Sequence, residues 1–98
     1  MASIGGTALI DGITVRPTRV LEDSRCPARV QCIWKGRLRI EAVIQYKGGS
    51  EELRREMTLG EAVSLPEGEL LLTAVRPAAV AGKALRSSAY RFAFALRR

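Results

Sequence analysis

From Arg37 to Tyr46 the chain alternates with a period of two: Leu38, Ile40, Ala42, Ile44 and Tyr46 fall on one face, and Arg37, Arg39, Glu41, Val43 and Gln45 on the other. Successive side chains of a strand point to opposite faces, so this segment reads as a half-buried strand. Lys47-Gly48-Gly49-Ser50 follows, and paired glycines suit a tight hairpin because primed turns need positive φ. An antiparallel strand is therefore expected over Glu52 to Leu59, with Leu53, Met57 and Leu59 inward and Glu52, Arg54, Glu56 and Thr58 outward. Arg55 falls on the inward face of that pattern and breaks it. Glu51 to Met57 are also good helix formers, but the hairpin turn and the strand before it favour β.

The same reasoning extends in both directions. Leu65-Pro66-Glu67-Gly68 is a turn, with proline presetting φ, and a strand is expected over Glu69 to Arg76, ending at Pro77. Ala78 to Ser88 is the longest irregular connection. The last strand is the cleanest, with Tyr90, Phe92, Phe94 and Leu96 alternating with Ala89, Arg91, Ala93, Ala95 and Arg97. Near the N-terminus, Ala8 to Ile10 and Ile13 to Leu21 read as strands around the turn dipeptide Asp11-Gly12, and Pro17 makes the second an edge or bulged strand. The expectation is an all-β domain of six or seven short antiparallel strands, either a β-sandwich or a small barrel.

Composition bounds this picture. A chain of 98 residues is one domain's length, so residues 1–98 are taken as a single β domain. A hydrophobic fraction of 47% beside 27% charged residues argues for a folded chain. The net charge is +6, and arginine dominates the basic residues, so anionic partners are favoured electrostatically. Arg37, Arg39, Arg54, Arg91 and Arg97 lie on expected outward faces and form the candidate surface for an anionic partner. The acids are interleaved with them, however, which is also how a solvated face looks. No run approaches the roughly 18 to 20 apolar residues of a membrane span, and the first residues show neither the basic nor the apolar region of a leader. A leader removed from the natural precursor, with or without a lipid anchor, stays compatible with that start.

The chemistry-bearing residues concentrate between Glu22 and Gly36. Cys26 and Cys32 are too widely spaced for a redox Cys-x-x-Cys pair, and the chain has no histidine to complete a usual zinc site. A disulfide is their simplest use and implies an oxidising compartment; two buried free thiols in a cytosolic protein are the alternative. Glu22, Asp23 and Ser24 beside Arg25 read as a loop-fixing ion-pair and capping cluster, with an ion-binding loop as the other option. Trp34 is expected to pack over the cysteine loop and the core, and Gly36 to let the following strand begin.

The order Glu22-Asp23-Ser24-Arg25-Cys26-Pro27, then Val30, Cys32, Trp34 and Gly36, resembles a pattern recurring in small bacterial exported proteins and lipoproteins of uncharacterised function. In that group EDSRCP and C-x-W-x-G precede a strand. Leu70, Leu72, Val75 and Pro77 resemble its later motif, and Tyr90 to Leu96 its closing strand. Lys35 and Ala78 depart from it, where the group carries a small residue and an aromatic. The resemblance implies a periplasmic or extracellular, disulfide-bonded β domain and supplies no activity.

Without histidine, Ser-His-Asp and Cys-His arrangements are excluded, and no glycine-rich loop has phosphate-binding spacing. A non-enzyme with no cofactor and no metal is therefore expected. The leading reading is an exported binding or structural module of the bacterial envelope, engaging an anionic surface or protein. An oligonucleotide-binding small barrel is a second reading, weakened by the expected disulfide and by the burial expected of Tyr90, Phe92 and Phe94. An inhibitor-like domain presenting the Cys26 to Cys32 loop or the Ala78 to Ser88 loop is a third.

Overall fold

The computed structural model describes residues 1–27, 31–33, 36–46, 51–66, 68–79 and 85–97. Among the described residues seven strands run β1 (Ala8–Ile10), β2 (Ile13–Asp23), β3 (Leu38–Tyr46), β4 (Glu52–Thr58), β5 (Ala62–Leu65), β6 (Gly68–Arg76) and β7 (Arg91–Arg97), with a 3-10 turn at Ser87–Ala89. All pairings are antiparallel. The first four strands form one sheet in the order β1-β2-β3-β4, and the last three form a second in the order β5-β6-β7.

The architecture is an open sandwich, and the barrel alternative is corrected. The chain changes sheet at the turn Leu59–Glu61, where Gly60 donates its N–H to the carbonyl of Leu72 in the other sheet at 3.0 Å. Among the described residues no ladder joins β4 to β5 or β1 to β7; only an isolated bridge between Ala2 and Phe92 crosses the second seam. Without those ladders the sheets cannot close.

The alternation in β3 sorts its residues as expected. Leu38, Ile40, Ala42 and Ile44 are buried and face Ile13, Val15, Met57, Leu70, Leu72, Tyr90 and Phe92 in one core. Each large side chain removed from water there contributes roughly 1.5–3 kcal/mol. Val43 points the other way, yet only 4% of it is exposed. Its register neighbours are Arg16 on β2 and Arg54 on β4. Long arginine stems cover apolar surface while their charged ends stay in water, which accounts for the burial.

One element departs from the sequence pattern, and the bulge expected at Pro17 and the inward position expected of Arg55 are both found. Ala62–Leu65 forms a strand of its own rather than the approach to a turn. Pro17 lies in β2, which is interior to its sheet, but β1 covers only Ile13 to Val15, so Pro17 sits beyond that cover and its carbonyl accepts the N–H of Gly5 at 2.8 Å. The register then slips twice, between Pro17 and Arg19 and between Val20 and Glu22. Arg55 lies opposite buried Ala42, the inward register position, while remaining exposed on the edge strand β4. An inward charge on an edge strand deters pairing with another chain. The hairpin residues 47–50, Glu67 of the expected turn, and residues 80–84 of the Ala78 to Ser88 connection lie outside the described residues, as do Val30, Trp34 and Lys35.

Candidate functional site

The end of β2, the cysteine loop and the start of β3 meet in a corner at one end of the sandwich. Its centre is Asp23. The carboxylate of Asp23 accepts Arg25 Nε–H at 2.8 Å and Arg25 Nη2–H at 3.0 Å, a two-point pairing that fixes the guanidinium plane. The hydroxyl of Tyr90, just ahead of β7 in the other sheet, donates to the same carboxylate at 2.6 Å. Arg25 Nη1–H donates to the carbonyl of Pro77 at the end of β6, at 3.1 Å. Asp23 and Arg25 therefore tie the two sheets together through polar groups that are mostly shielded from water.

These contacts perturb the groups that make them. The guanidinium of Arg25, and then the Tyr90 hydroxyl, hold the Asp23 carboxyl below its ordinary 3.8. Burial, followed by the bond to Asp23, pushes Tyr90 up from 10.0 to about 12. A depressed carboxyl stabilises the fold above its unfolded value and loses that contribution as pH falls through the folded value. A phenol raised in the folded state stabilises below its unfolded value and loses that contribution as pH rises towards the folded one. Stability measured by denaturant melts should therefore fall as pH drops below 3.8 and again as it rises from 10 to 12, and Asp23→Asn should weaken both limbs. Tyr90→Phe should lower stability by about 1–2 kcal/mol, since one hydrogen bond to a charged acceptor is lost while Arg25 still pairs with Asp23. It should also flatten the alkaline limb; an unchanged limb would show that Tyr90 does not set it.

Glu22 and Ser24 form the other half of the corner. Glu22 accepts Nε–H bonds from Arg37 at 2.9 Å and Arg39 at 2.8 Å, and Arg39 also reaches Glu56. Arg39 above all, then Ser24, lowers the Glu22 carboxyl below its usual value. The hydroxyl of Ser24 accepts the backbone N–H of Arg37 at 3.0 Å and has two acceptors within reach, Glu22 at 2.9 Å and the Arg37 carbonyl at 3.1 Å. Backbone strands approach closely here: a Cβ on Gly36 would overlap the Ser24 carbonyl oxygen, and Gly36 has φ of +73°. Cys26 and Cys32 are joined by a disulfide, with Cα atoms 6.0 Å apart.

The expected arginine surface divides. Arg39 and Arg54 share the outer face of the four-stranded sheet, with Arg37 at its margin, whereas Arg91 and Arg97 belong to the other sheet. Most are already partnered. Arg54 and Arg19 flank Glu41, whose carboxyl is lowered by the Thr18 hydroxyl first and then by Arg19. Arg97 pairs with Glu69 at 2.9 Å, and Arg91 donates to the carbonyls of Ser88 and Tyr90. Individual exposed pairs of this kind contribute about 0–1 kcal/mol, so their main effect is to neutralise the face locally.

Beside the corner lies a cavity of about 690 Å³, between the cysteine loop and the turn Leu59–Glu61. Arg25, Cys26, Arg37, Thr58, Leu59 and Glu61 are among the residues that line it. Sequence reasoning singled out the corner residues but not the turn that faces them, and Thr58, Leu59 and Glu61 carry no motif that could have done so. Comparison with protein-family models, with curated proteins and with solved structures finds no match to this chain.

Proposed function

We propose that the chain is an exported, non-enzymatic binding or structural module of the bacterial envelope, working in the periplasm or outside the cell. The observation that carries this reading is the Cys26–Cys32 disulfide, which begins three residues after Asp23 in the same corner. Structural disulfides persist in oxidising compartments and are reduced in the cytosol. The motif resemblance points the same way, and the corner residues Glu22, Asp23, Arg25 and Gly36 support it by acting as fold anchors. Tyr90 and Phe92, whose rings stack on each other at 5.7 Å, are buried and so not presented for the base stacking that single-stranded nucleic acid would use.

The deciding experiment is thiol alkylation and mass spectrometry of the natively produced protein from separated cell fractions. Joined cysteines in an exported fraction are expected; free thiols in a cytosolic one would overturn the reading. Reduction of the purified protein should lower its stability by about 2–2.5 kcal/mol, the entropy of closing so short a loop, read as a shift in denaturation midpoint.

A second reading, an interaction domain that presents the cysteine loop to a partner, is favoured by Ile33. This side chain, next to Cys32, is 93% exposed. A protease inhibition panel with Ile33→Ser as control tests it.

A further inference from the structure

We infer that the cavity between the cysteine loop and the Leu59–Glu61 turn is a binding site for a small monoanion with an apolar body, a carboxylate being the simplest head group. The inference rests on the reading of the chain as a binding module. Its volume, about 690 Å³, is that of a small-molecule site, for which roughly 300–1,000 Å³ is usual.

The polar groups around the cavity differ in how far they are committed. Arg25 spends all three of its guanidinium nitrogens on Asp23 and the Pro77 carbonyl. Arg37 spends only Nε, on Glu22, and its two terminal nitrogens have no partner among the described residues. With Nε occupied, the side-on approach of an anion is closed, and the described residues leave the end-on approach through both terminal nitrogens open. That edge presents two parallel N–H donors, the geometry a carboxylate accepts. Of the other lining residues, the Thr58 hydroxyl and the Glu61 carboxylate likewise have no hydrogen-bond partner among the described residues. Beside these polar groups, half-buried Leu59 and Cys26 give the apolar contact.

Glu61 sets the selectivity. A ligand carrying one negative charge can place it on Arg37 and keep its apolar body towards Leu59. A second negative charge in the same space would meet the Glu61 carboxylate, which also lines it, and be repelled. The site therefore separates monoanions from dianions, which the net charge of +6 alone would rank the other way.

The test uses the oxidised full chain and octanoate as probe, with suberate and octyltrimethylammonium as comparison ligands of similar length, followed by amide chemical shifts and isothermal titration. Octanoate should shift the amides of 36–38 and 58–61, and both comparison ligands should bind about tenfold or more weakly. Arg37→Gln should weaken octanoate by about tenfold or more, as expected for loss of a charge-assisted pair, with its folded state checked by circular dichroism. Glu61→Gln should improve suberate more than octanoate and so narrow the difference between the two. The inference is overturned if octanoate shifts no amide in these two segments, if the ammonium ligand shifts them equally, or if Glu61→Gln does not improve suberate. None of these results bears on export, which the cysteine pairing and cell fraction decide separately.

Discussion

Gly36→Ala should be the most damaging single substitution outside the core, lowering stability by about 3–5 kcal/mol. Two causes add. Left-handed backbone at φ of +73° costs a residue with a Cβ roughly 1–2 kcal/mol. The new methyl would also overlap the Ser24 carbonyl oxygen and stand 2.6 Å from its carbon, so the two backbones must part. Parting them strains the bonds that hold the corner, Ser24 N–H to the Arg37 carbonyl at 2.8 Å and Arg37 N–H to the Ser24 hydroxyl at 3.0 Å, each contributing about 1 kcal/mol. Equilibrium urea denaturation measures the loss. Gly36→Asn separates the causes, because asparagine tolerates the left-handed region but still carries a Cβ. If close approach dominates, Asn is as harmful as Ala; if Asn is nearly neutral, the dihedral alone was responsible and the packing account fails.

Phe92→Ala should cost about 3–5 kcal/mol, the range for emptying a fully buried aromatic site. Phe92 is completely buried, stacks on Tyr90 with an interplanar angle of 3°, and lies in the β7 row that faces the core. Its neighbours are fixed from both sheets, so the space it leaves can collapse only in part. Tyr90 would keep its bond to Asp23 but lose the ring that supports its plane. Phe92→Leu, which refills most of the volume, should cost about 1–2 kcal/mol. A Phe92→Ala loss below about 1 kcal/mol would mean that the two sheets are packed more loosely than the burial indicates.

The legibility of this chain varies with the range of the interaction. The strands of Leu38–Tyr46 and Arg91–Arg97 could be read directly, because alternation is local and both are long enough to show it. Ala62–Leu65 could not, since four residues with two apolar positions carry too little period to distinguish a strand from a loop. The choice between sandwich and barrel depended on ladders between strands far apart in sequence, which no local pattern encodes. The corner is legible as a cluster but not as a clasp: Asp23 and Arg25 are evident partners, whereas the alternation places Tyr90 only in an aromatic core row. The pairing of the arginines was hidden for a related reason. Slips in register on both sides of Arg19 and Val20 bring Glu22 opposite Arg39, and a strand counted without bulges would have put other residues there.

The position of Asp23 has a consequence for how the chain is completed in time. A chain delivered N-terminus first, from a ribosome or a translocation pore, can pair its four-stranded sheet while Tyr90 is still to come, 67 residues behind Asp23. Until then the carboxylate has Arg25 but not its cross-sheet partner. Tyr90 thus finishes a junction begun 67 residues earlier, and a product truncated before it would leave that junction open.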